Sequence, residues 1–126
     1  MSASLDLVHR LISAIEAGDI DGVRACYSPD VTVWANFDGV AKDLEASLRV
    51  LTWLVGATSE RRYEIVRRIE IEGGALQQHV LHGTVTETGK SFAMPACLVI
   101  TIDRDRIAHI DEYLDASVMT PAFASG

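Results

Sequence analysis

The feature that constrains this chain most is a change of hydrophobic period near its middle. Leu5, Val8, Leu11, Ile12 and Ile15 recur at helical spacing, and Gly18 is a natural C-terminal stop. Asp19 then caps a second short helix carrying Val23, Cys26 and Tyr27, which Ser28-Pro29 ends. Val31-Thr32-Val33-Trp34 reads as a short strand, and Asp38-Gly39 as a turn. Leu44, Leu48, Leu51, Trp53 and Leu54 predict a third amphipathic helix, stopping near Gly56. Beyond it the period becomes two. Tyr63, Ile65, Ile69 and Ile71 alternate with charged residues, and Gly73-Gly74 makes a hairpin turn. Strands follow over residues 75–86, 92–102 and 107–114, separated by Thr88-Gly89-Lys90 and Asp103-Arg104-Asp105, and the tail from Ala116 reads as irregular. Helices first and an antiparallel meander afterwards imply an α+β fold, one sheet with helices on one face. A curved sheet whose concave side is covered by three helices leaves a blind pocket between them.

Length and charge narrow the function. A chain of 126 residues, 48% of them apolar, makes one globular domain over residues 1–126, with space for a modest cavity. The net charge is −7, and the basic pairs Arg61-Arg62 and Arg67-Arg68 are interleaved with Glu60, Glu64, Glu70 and Glu72. That is a mixed-charge, solvated strand face with no basic patch to offset the net negative charge, so no nucleic-acid partner is expected. The longest apolar run, residues 96–100, is too short to span a bilayer, and the first residues lack a signal peptide's basic flank and apolar run. A cytoplasmic location is expected. Cys26 and Cys97 form no CxxC motif or disulfide framework and suit small buried hydrophobes.

Two stretches carry a family resemblance. One is residues 15–23, IEAGDIDGV, followed by YSPDV at residues 27–31; the other is DRIAHIDEYLD at residues 105–115. They resemble the "AGD" helix step, the "DV" first strand and the closing "dGkI…eYfD" strand of nuclear transport factor 2-like (SnoaL-like) proteins, with Asp105 where glycine is usual. The resemblance implies a cone-shaped, cystatin-like fold: a curved antiparallel sheet with three N-terminal helices around a pocket. That superfamily includes ketosteroid isomerase, limonene epoxide hydrolase, scytalone dehydratase and polyketide cyclases, and also non-catalytic binding and dimerisation domains.

By this resemblance the three acid residues of ketosteroid isomerase fall on Leu11, Ala35 and Cys97. All three are absent, so steroid isomerisation by that machinery is excluded. Strand positions in step with Ala35 and Cys97 should then face the pocket. That inward set is Gln78, Val80, His82 and Thr84 on the long middle strand, and Ile110, Glu112 and Leu114 on the last. Asp111, Tyr113 and Asp115 should face outward, and a one-residue slip would exchange them for Glu112. Limonene epoxide hydrolase is similar in placing an aspartate near Glu112 and an Arg-x-Asp pair around Val80 to His82; here the arginine is missing and a histidine stands near the aspartate's position.

These placements make His82 and Glu112 the candidate catalytic pair, with Gln78, Trp34, Tyr27, Trp53 and Cys97 as candidate substrate-binding residues. Burial raises a carboxyl pKa and lowers an imidazole pKa, bringing both towards neutrality, where proton exchange with a substrate is efficient. The alternatives are a histidine hydrogen-bonded within a polar patch, a salt-bridged glutamate, and tryptophans that pack in the core or a dimer interface. His79 and His82 share HxxH spacing, but on a strand their rings point to opposite faces, which argues against a metal site. With no dinucleotide fingerprint, P-loop or GxSxG motif either, no metal or organic cofactor is expected. The expected function is cofactor-free acid–base chemistry on a small, largely apolar molecule, by an isomerase, cyclase, dehydratase or hydrolase. The alternative is a non-catalytic ligand-binding or dimerisation module. A homodimer through the outer sheet face is expected from Trp34, Leu81 and Tyr113.

Overall fold

The computed structural model describes residues 2–124. Helix α1 spans Ala3–Ala17, capped by the Ser2 hydroxyl and closed by Gly18 at φ 74°, a left-handed conformation that glycine adopts without penalty. The Asp19 carboxylate caps α2 (Ile20–Cys26), and Asp43 caps α3 (Leu44–Ala57), which runs through Gly56. Strand β1 (Tyr27–Ala35) begins four residues earlier than the β-branched run, and a two-residue strand β2 (Ala41–Lys42) pairs with it. The second half is β3 (Thr58–Ile71), β4 (Gly74–Val85), β5 (Ser91–Asp103) and β6 (Arg106–Leu114). Residues 116–123 are regular, against expectation: a 3-10 turn at Ala116–Val118 leads into α4 (Met119–Phe123).

The six strands form one sheet in the order β2-β1-β6-β5-β4-β3. Consecutive strands from β3 to β6 are antiparallel, but β1 lies parallel to β6, so the sheet is mixed. The β5–β6 turn holds Arg104 and Asp105 at φ 51° and 62°, a left-handed conformation that glycine would adopt without strain. Gly74 starts β4 with its Cα so close to the Ile100 carbonyl that a Cβ would sit 1.8 Å from the oxygen.

Helices α1, α2 and α3 cover the concave face. Leu7, Val8, Leu11, Ile12 and Ile15 of α1 pack on Val23, Val31, Leu98, Ile100, Ile107 and Ile110 as the main core. A second cluster, Leu81, Val85, Phe92, Met94 and Ala122, lies at the α4 end of the sheet. Arg61 is not part of a solvated face: half-buried beside a bulge in β3, it donates to the carbonyls of Ile15, Val55 and Thr58, tying β3 to the C-terminal ends of α1 and α3. The Glu16 carboxylate accepts from the Tyr63 backbone N–H at 2.7 Å, fixing the stretch of β3 that presents Tyr63. Among the described residues no helix is long and apolar enough to cross a membrane.

Candidate active site

Between the two clusters lies a cavity of about 670 Å³, a size suited to a small organic molecule. Its walls come from every layer: Leu11, Ile12 and Ile15 of α1, Leu51 and Leu54 of α3, and the inner face of the sheet. Leu11 and Ala35, which stand where the resemblance places acids, both line it as apolar groups.

Glu112 faces this cavity, as its place between the inward residues Ile110 and Leu114 requires. Its cross-strand neighbours are Ala35 on β1 and Leu98 on β5, neither of which can hydrogen-bond through its side chain. Burial without such a partner pushes the carboxyl up to about 7, with Lys42 pulling weakly the other way. Tyr27 and Tyr63 also line the cavity. Burial raises both phenols, and the negative charge of Glu112 raises them further, so both stay neutral O–H donors at physiological pH. Ser47 of α3 adds a buried hydroxyl with no partner among the described residues.

The expected parity fails on β4 and β5. The inward residues are Gln77, His79 and Leu81 on β4, and Phe92, Met94, Ala96, Leu98 and Ile100 on β5. Gln78 and Cys97 pair with each other on the outer face, as do His82 and Ala93. The reason is hydrophobic: the even-numbered face of β5 carries Phe92, Met94, Leu98, Ile100 and Ile102, whereas the other carries Ser91, Ala93, Pro95, Cys97, Val99 and Thr101. Antiparallel pairing then turns His79 in and His82 out. His82 Nε2 donates to Glu64 Oε1 at 2.8 Å on that outer face. His82 and Glu112 therefore open onto opposite sides of the sheet and form no catalytic pair. Val80 and Thr84 share the outer face, and Leu81, 2% exposed, is a cavity residue and not a dimer-face one. Trp34 also lies outside the cavity, edge-on to Tyr113 at 5.4 Å. Of the remaining expected residues, Tyr27 lies on the cavity wall and Trp53 at its rim, stacked on Phe123 at 5.5 Å and 57% exposed.

A polar chain that sequence reasoning missed ends at the cavity. Arg68 Nε donates to Gln77 Oε1 at 2.7 Å, and Gln77 Nε2 lies 2.9 Å from His79 Nδ1. Gln77 is fully buried and His79 only 3% exposed. The His79 ring meets Tyr63 edge-on at 4.8 Å and lines the cavity. Burial, followed by the nearby Arg68 charge, pushes its pKa down to about 4, so the imidazole is neutral. The missed signal was the apolar bias of β5, which sets the parity of β4. No group of three or more His, Cys, Asp or Glu among the described residues could hold a metal ion.

Comparison with known proteins agrees with this architecture. The family model described as a SnoaL-like domain matches residues 8–110. No curated protein gave a match. Among solved structures, a candidate SnoaL-like polyketide cyclase from Shewanella denitrificans OS-217 superposes with a TM-score of 0.84 at 13% identity, covering 97% of each chain. A LEH-like epoxide hydrolase from M. tuberculosis gives 0.77 at 17% identity, over 95% of this chain and 88% of that one. A candidate hydroxylase, AclR, from Streptomyces galilaeus gives 0.85 at 10% identity, over 94% and 92%. These likenesses establish a shared fold, and with the family match over most of its length the chain belongs to the SnoaL-like domain family.

Proposed function

We propose that this protein is a cofactor-independent acid–base enzyme acting on a small, largely apolar molecule held in the cone cavity. The observation that carries this reading is Glu112: a carboxyl aimed into an otherwise apolar cavity, with no side-chain hydrogen bond and a pKa near neutrality. A purely structural core would place an apolar residue there, because an unpaired buried carboxyl is costly. A group poised near pH 7 both takes and returns protons at useful rates. The neutral phenols of Tyr27 and Tyr63 supply hydrogen bonds to oxygen atoms that gain charge during reaction. Isomerase, cyclase, dehydratase and hydrolase chemistry all use such a set. The second reading, a non-catalytic binding module, draws on the apolar residues at Leu11 and Ala35 and on Leu98 opposite Glu112. For either reading we propose a homodimer through the outer sheet face around Trp34 and Tyr113.

A panel of cavity-sized enolisable ketones, β-hydroxy ketones and epoxides separates the two. Turnover above buffer that falls at least about 100-fold in Glu112→Gln, with ligand binding retained, is the expected result. Equal turnover by wild type and variant would sink the enzymatic reading. Binding without turnover of any compound leaves the binding module.

A further inference from the structure

The hydrogen-bond chain behind the cavity wall determines where His79 carries its proton. An arginine Nε can only donate, so the Gln77 side-chain atom facing Arg68 is its oxygen. The amide nitrogen of Gln77 therefore faces His79 and, being a donor only, requires Nδ1 to accept. A neutral imidazole with an accepting Nδ1 has its single proton on Nε2. Because Gln77 and Arg68 occupy the wall side of the ring, Nε2–H lies on the opposite side, and it has no hydrogen-bond partner among the described residues. His79 itself is almost wholly buried and lines the cavity. Its cross-strand neighbour on β5 is Ala96, whose side chain offers no hydrogen-bonding group.

We infer that the Arg68–Gln77–His79 chain presents a neutral Nε2–H donor to a carbonyl oxygen of the ligand, so that the cavity takes apolar carbonyl compounds. This deepens the acid–base reading of the cavity and rests on it only for the location of the ligand. A cation there would pair with anions, whereas a neutral donor suits an uncharged acceptor. The chemistry complements Glu112. As carboxylate, Glu112 removes a proton from carbon in conjugation with the carbonyl; the C–H electron pair moves through the π system onto the carbonyl oxygen, giving an enolate or dienolate. His79 Nε2–H donates a hydrogen bond to that oxygen without losing its proton, and Glu112 returns its own proton to carbon. His79 and Glu112 stand on strands separated by β5, one inward position out of register, which favours an oxygen set several bonds from the proton-losing carbon. Arg68 and Gln77 act through His79 and are positioning residues.

Two measurements test this without needing turnover, so their failure is separable from failure of Glu112 catalysis. The first is the nitrogen resonances of ring-labelled His79 in the wild-type protein at neutral pH. A protonated Nε2 with an unprotonated Nδ1 is expected, and Gln77→Glu, whose carboxylate only accepts, should place a proton on Nδ1. A protonated Nδ1 in the wild type, or an unprotonated one in the variant, overturns the inference. The second is calorimetric binding of 1-tetralone against tetralin, the same bicycle without the oxygen. Wild type should prefer the ketone by about tenfold, the size of one net hydrogen bond. His79→Phe should erase that preference while leaving tetralin binding within about twofold, and His79→Gln, which keeps an amide donor, should retain part of it. Equal binding of the two probes by wild type, no binding of the ketone, or a preference that survives His79→Phe would each overturn the proposal.

Discussion

Glu112 and His79 both line the cavity from the inner face of the sheet, and their titrations pull stability in opposite directions. Glu112 rises from 4.5 to about 7 on folding, so the folded state holds its proton more tightly. Its contribution is fully present below pH 4.5 and is lost as the pH rises towards 7. His79 falls from 6.5 to about 4, so the folded state resists protonation, and stability is lost as pH falls from 6.5 towards 4. Over the shared window the two slopes offset each other, and these groups leave the wild type nearly level. Glu112→Gln removes the falling slope. In urea denaturation the variant should gain on wild type by up to about 3 kcal/mol between acid and neutral pH. A difference that does not change with pH would refute the buried, unpaired state of Glu112. Glu112 was reached through the resemblance, by its step with Ala35, the residue it pairs with on β1. His79 was not, since both faces of β4 carry one glutamine and one histidine, and only pairing with β5 breaks that tie.

At the scale of elements, the glycines show which backbone positions the fold depends on. Gly74→Ala drives a methyl group into the Ile100 carbonyl, where no flexible side chain can give way. A loss of at least about 3 kcal/mol is expected, or failure to fold. Gly56→Ala, within α3 and with open space around it, should stabilise by up to about 1 kcal/mol. Thermal unfolding of the two variants checks both signs; a tolerated Gly74→Ala would mean that the β3–β4 hairpin is placed wrongly. Element identities were read well because caps and period are local: Asp19, Gly18 and the alternation of β3 suffice. The α4 tail escaped notice because it has no strong period of its own. It is held from outside, by Thr88 and Lys90 donating to the Ala122 and Ala124 carbonyls and by Phe123 stacking on Trp53.

For the whole molecule, the outer face of the sheet is where the next contact should form. It carries Tyr113, 50% exposed, packed on Trp34, and a hydrogen-bonded row in which Asp111 accepts from His109 Nε2 and His109 Nδ1 faces the Thr32 hydroxyl. An aromatic pair ringed by polar groups has the make-up of an interface. Sedimentation at micromolar concentration should show a dimer, and Tyr113→Glu should shift it to monomer without unfolding. A monomeric wild type would remove this proposal and leave the cavity reading untouched.

The sequence by itself determined the order of helices and strands and one sheet covered on one face by three helices. Those follow from spacing, capping and turn chemistry, which act over a few residues. Glu112 was placed inward only through the resemblance, with a one-residue slip left open. The tertiary structure decided which face of β4 meets the cavity, that β1 runs parallel to β6, and that Arg68, Gln77 and His79 join in one chain. Strand faces differ by a single residue of register, and a hydrogen-bond chain across two strands exists only once that register is set.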